Sequence, residues 1–122
     1  MIELLSGFPD NVVAARASGR LSRNDYVNVL IPAVDRALAR RDKIRCYYEL
    51  GAELQGVEVG AMWEDFRIGL EHLRAWERVA VVTDVEWMHT AVHAFRFLMP
   101  GTVRVFGTAD APEAKRWISA DA

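Results

Sequence analysis

Apolar and polar positions change period several times along the chain, and each change marks an element. Residues 2–5 and 12–17 are short apolar runs separated by GFPDN at 7–11, whose glycine, proline and Asx residues favour a turn. The pattern there predicts an antiparallel hairpin. From Ser22 the period becomes helical, with Val27, Leu30, Val34, Ala37 and Leu38 on one face and with Ser22 and Asp25 placed as N-cap and capping-box partner. Pro32 lies inside this first helix and removes a backbone donor, so a bend is expected over 28–32.

Residues 44–50 (IRCYYEL) are rich in strand formers, and 51–60, with three glycines and no proline, reads as a flexible loop. A second helix carries Met62, Trp63, Phe66, Leu70 and Leu73 on one face. The run VAVV within 78–83 reads as a strand covered on both faces and therefore central. A third helix over about 86–98 buries Met88, Ala91, Val92 and Phe95, a strand follows at 103–106, and a last helix spans about 112–118. The order β-β-α-β-α-β-α-β-α predicts an α/β fold: one mixed, mostly parallel five-stranded sheet with about four helices, joined by right-handed crossovers.

Composition narrows the class. With 122 residues, 52% hydrophobic and 26% charged, the chain is expected to fold as a single globular domain over 1–122. A formal charge of −2, with 15 Lys and Arg spread along the chain, gives no field of the kind that binds phosphate backbones, so nucleic acid is not an expected partner. No apolar run has the length of a membrane span, the N-terminal MIELLSGFPD has no basic leader, and the single cysteine, Cys46, provides no internal disulfide. A cytoplasmic location without stable membrane insertion is the expectation.

The element order, with AMWEDFRIGLEH at 61–72, RVAVVTD at 78–84 and EWM at 86–88, resembles the SpoIIAA-like family of bacterial proteins over nearly the whole chain. The resemblance implies a fold similar to STAS domains, the modules of anti-sigma factor antagonists and of anion transporter tails, and comparable with lipid-carrying CRAL-TRIO and Sec14-type domains. It implies no particular activity. Phosphorylatable antagonists carry a serine at the start of the helix after the third strand, where helix dipole and amides hold a phosphate. Here 51–67 contains neither Ser nor Thr, which argues against a standard partner-switching regulator.

Asp65, Gly69 and His72 fall at i, i+4 and i+7, in one stripe beside the apolar face of the second helix. A helical glycine costs about 1 kcal/mol against alanine, so something is expected to come close at Gly69. That is read first as packing and second as a groove orienting a ligand's polar end. His89 and His93 have helical i, i+4 spacing without the glutamate of a zinc-protease motif; they fall off the apolar face, are expected to face solvent, and no metal or other cofactor is proposed. Cys46, with no histidine placed beside it, reads as a buried small hydrophobe. The basic run Arg36, Arg40, Arg41, Lys43 and Arg45 is read first as cations favoured by the helix C-terminal dipole and second as a contact for acidic lipid or an acidic partner.

A ligand is expected beyond the carboxyl ends of the strands, with Glu49, Met62, Trp63, Asp84 and Trp87 as candidates there beside the Asp65, Gly69 and His72 stripe. No nucleophile, base and phosphate loop stand in a usable arrangement, so no catalytic residue is assigned. The leading expectation is a non-enzymatic STAS-like module that binds a small apolar, lipid-like ligand or a protein partner. Glycines followed by Met62 and Trp63 suit an apolar-lined lid, and exposed apolar surface near Trp76 and Trp117 suits a partner. The rivals are a regulatory interaction module without the phosphorylatable serine, and a small hydrolase or isomerase using Asp65, His72 or Asp84 as acid or base. A homodimer through the Gly69 stripe or an edge strand is also expected.

Overall fold

Strand-forming runs occur where the sequence places them, and pairing extends two of them. The computed structural model describes residues 1–57, 75–84, 89 and 101–120, as backbone alone at 20, 21, 23, 26 and 51–57. β1 (Ile2–Leu4) pairs antiparallel with β2 (Val12–Leu21), the expected hairpin, and Gly7 takes a positive φ of 88° in the connecting turn. β3 (Ile44–Val57), β4 (Trp76–Thr83) and β5 (Thr102–Phe106) continue the sheet in parallel, giving the order β1-β2-β3-β4-β5. The mixed, mostly parallel five-stranded sheet is therefore as expected. The strand of the VAVV run is an inner one, between β3 and β5.

Two sequence expectations need correction. Residues 51–57 are not a loop but the second half of β3, pairing with a bulged β2 in which Gly19 lies opposite Leu54, Arg20 opposite Gly56 and Leu21 opposite Val57. Gly19 adopts φ 62°, a conformation open to glycine, and the bulge it makes lets β3 run on past the point where alternation fades. Among the described residues two helices are counted, where the sequence suggested about four in the chain. The first is broken into a helical turn (Arg23–Asp25), a π-helical turn (Tyr26–Leu30) and α1 (Ile31–Arg40), and the last is α2 (Ala111–Ser119), entered through a 3-10 turn at Thr108–Asp110. The expected second helix lies outside the described residues, as does the third apart from His89, which is helical.

The break occurs where Pro32 predicts it, in the first turn of α1, because the proline cannot donate back into the preceding turn. The start of the helical segment is the expected capping box: the Ser22 amide donates to Asp25 Oδ2 at 2.9 Å and the Asp25 amide donates to Ser22 Oγ at 3.3 Å.

Strand alternation sorts side chains onto two faces. On one face Val13, Ala15, Ala17, Ile44, Tyr48, Leu50, Trp76 and Val81 pack against Val34 and Ala37 of α1. Trp76 is only 6% exposed, which removes it from the exposed apolar surface that the sequence suggested. Cys46 is half-buried at the margin of the same cluster. On the other face Ala14, Tyr47, Ala80, Val82 and Phe106 receive Ala114 and Ile118 of α2.

Candidate functional site

The α2 face of the sheet carries the most elaborate polar cluster among the described residues. Tyr47 and Glu49, two apart on β3, point to this face, and Arg16 on β2 is the register partner of Glu49. Arg16 Nε donates to Glu49 Oε2 at 2.7 Å and the Tyr47 hydroxyl donates to Glu49 Oε1. Tyr47 has no exposed surface, its ring lies 5.0 Å from that of Phe8, and Glu3 stands 3.8 Å from the outer edge of the Arg16 guanidinium.

These contacts fix the charge states. Burial alone pushes the Glu49 carboxyl up, but the hydrogen bonds from Tyr47 and Arg16, with the charges of Arg16 and Lys115, outweigh it and hold the group below the usual carboxylate range. Burial pushes the Tyr47 phenol up, and the bond to Glu49 and that carboxylate's charge push it further, well above the ordinary value. The hydrogen bond and charge of Glu49 raise Arg16. The cluster is a protonated phenol, an anion and a cation in a row.

Asp84 stands at the carboxyl end of β4, where the sequence expects a ligand crevice, and it is exposed. Its Oδ1 accepts the Thr108 amide at 3.0 Å and its Oδ2 accepts the Thr108 hydroxyl, so it caps the 3-10 turn ahead of α2. Those two bonds, with His89 nearby, hold it below the usual carboxylate range. His89 does not simply face solvent as expected: half-buried, it places Nε2 2.8 Å from the Thr83 carbonyl. This backbone acceptor, invisible to a helical-face argument, turns the ring inward. His93 lies outside the described residues, and among the described residues no cluster of three metal-ligating side chains occurs.

Glu49 and Asp84 thus belong to separate networks, one midway along the sheet face and one at the strand end. Met62, Trp63, Asp65, Gly69, His72 and Trp87 lie outside the described residues. The sequence reading missed Arg16, Tyr47 and Thr108; the i, i+2 spacing of Tyr47 and Glu49 on a strand was the available signal for the first cluster.

The basic run also separates. Arg45 is not a helix-terminal cation but a β3 residue, 5% exposed, whose Nη2 donates to Glu77 Oε1 at 2.6 Å and whose Nη1 donates to the carbonyls of Ile118, at 2.9 Å, and Ala120. Arg78 Nη1 donates to the Trp117 carbonyl at 2.9 Å and lies over the Trp117 ring, 5.5 Å from its centroid. Two sheet arginines thereby satisfy the last carbonyls of α2. Arg41 pairs with Asp10 at 2.8 Å beside a polar hollow of ≈ 410 Å³ that also includes Asn11, Lys43, Arg45 and Glu77.

Comparison with known proteins agrees with this architecture. A family model described as SpoIIAA-like matches residues 12–119. A solved structure, an uncharacterised protein of the DUF3478 family with a SpoIIAA-like fold from Shewanella loihica PV-4, is 27% identical, with TM-score 0.75 over 96% of this chain and 93% of that one. No curated protein matches.

Proposed function

The chain belongs to the SpoIIAA-like family, and from that premise we propose that it works by binding rather than by catalysis, holding a small apolar ligand or a protein partner. One observation carries this reading. A general acid or base is most effective with a pKa near the working pH. Among the described residues, every group whose pKa departs from its ordinary value moves away from neutrality instead: Glu49, Asp25 and Asp84 downward, Tyr47 and Arg16 upward. Each of these five groups is held by an internal partner, so their shifts serve the fold.

Asp84 bears on the enzymatic rival directly. Both its oxygens accept from Thr108, and its task in the fold is to cap the turn that launches α2. An acid or base role for it, as for Asp65 or His72 in the same rival, would have to coexist with that cap, and the cap lowers its basicity. The regulatory variant of the binding reading rests on the same pairing and on the lack of Ser and Thr over 51–67.

Native mass spectrometry of gently purified protein tests the proposal, since one spectrum reports oligomeric mass and any retained molecule. The expected result is a mass above that of the bare chain, from a small apolar molecule or a second polypeptide. The bare chain mass in every preparation would count against it.

A further inference from the structure

Arg16, Arg41 and Arg45 are each matched to a carboxylate, Glu49, Asp10 and Glu77 respectively. Arg104 is not. Exposed on β5, its guanidinium lies 4.7 Å from the Phe106 ring centroid and 5.2 Å from that of Trp117, and among the described residues no carboxylate or carbonyl takes its donors. Arg78, 5.5 Å from the same Trp117 centroid, donates through Nη1 to backbone carbonyls and likewise has no carboxylate at ion-pair distance among the described residues. Both cations lie against the one indole, and Arg104 also lies against the Phe106 ring, contacts that leave the donors of its exposed guanidinium without a carboxylate among the described residues.

Among the described residues, this cluster stands beside an open sheet edge. β5 is the last strand in the order, and among the described residues nothing pairs with its outer side. The opposite edge is blunted: β1 has three residues and carries Glu3 at its centre. β5 has five, and its register sets Thr102 beside Arg78, Arg104 beside Ala80 and Phe106 beside Val82, all on the α2 face.

We propose that the outer edge of β5, with Arg104 and Arg78 against Trp117 beside it, is the docking surface for an extended acidic segment of a protein partner. An added strand lies about 4.8 Å from β5, and its alternate side chains fall on the α2 face. A glutamate or aspartate at such a position meets the Arg104 fork, which is matched to carboxylate geometry. Backbone bonds to β5 supply the pairing, and the unmatched arginines select the charge. This inference rests on the reading of the domain as a binding module and names the partner's chemistry.

The test uses the full chain and a fluorescein-labelled peptide of alternating valine and glutamate, followed by fluorescence anisotropy and by amide exchange in β5. Binding is expected to weaken about tenfold in Arg104→Ala and less in Arg104→Lys, with added salt acting in the same direction. Slowed exchange of β5 amides is expected on binding, and a valine–lysine peptide is expected not to bind. Equal affinity in Arg104→Ala, or equally tight binding of a single-stranded oligothymidine with no slowing in β5, would overturn the proposal. Such a failure leaves any mass retained in native mass spectrometry in place, whereas a bare chain there removes the binding reading itself.

Discussion

Glu49 is enclosed by donors of two kinds, the phenol of Tyr47 and the guanidinium of Arg16, and its side chain is 15% exposed. Removing the phenol leaves a buried carboxylate oxygen short of a partner, so Tyr47→Phe is expected to cost about 1–2 kcal/mol, measured by urea denaturation. The sign of the pH effect follows from the direction of the Glu49 shift. Its folded pKa is lower than its unfolded one, so its contribution is complete above the unfolded value of about 4.3 and is lost as pH falls through the folded value. Denaturation midpoints of wild type and Glu49→Gln are therefore expected to converge as the pH is taken below about 4, while differing at neutrality. A constant gap across that range would contradict the assignment. Its place at the end of a predicted strand pointed to Glu49 but not to its role, because the partner across the sheet, Arg16, lies 33 residues away and becomes its neighbour only through parallel register.

At the scale of elements, local signals were legible where the interaction is local. The hairpin turn, the Ser22 and Asp25 capping box and the break at Pro32 each depend on residues within a few positions, and all three are present. Ser22→Ala is expected to cost about 1 kcal/mol and to lower helicity at the start of this segment, read by circular dichroism and chemical denaturation. What escaped the sequence depends on distant partners. The extension of β3 through 51–57 needs the bulge at Gly19, and Arg45 finds its acceptors 73 and 75 residues on, at the end of α2. Arg45→Met keeps the aliphatic stem but leaves Glu77 and the α2 carbonyls without their donor, and is expected to cost about 3 kcal/mol. Amide exchange should quicken in α2 more than in α1 if Arg45 anchors that helix; equal change in both would contradict this.

For the molecule as a whole, the sheet has two differently furnished faces. The α1 face is an apolar cluster. The α2 face mixes apolar packing with fixed charges: Glu49 and Arg16 over β2 and β3, and Arg45, Arg78 and Arg104 over β3 to β5. Alternation gave the fold class because periods of 2 and 3.6 survive any tertiary context, whereas the polar clusters are products of register and helix docking. Gly101 illustrates such a constraint: a Cβ there would stand 2.2 Å from the Trp76 carbonyl oxygen, a close approach of backbones that no local pattern announces. The central claim, that the ionisable groups of this face serve architecture and binding, is tested most directly by an NMR titration of the Glu49 carboxyl and the Tyr47 phenol in the intact chain. The account predicts that between about pH 5 and about pH 9 Glu49 stays ionised and Tyr47 stays protonated, and a midpoint for either group between about 6 and 8, the range of a working acid or base, would contradict it.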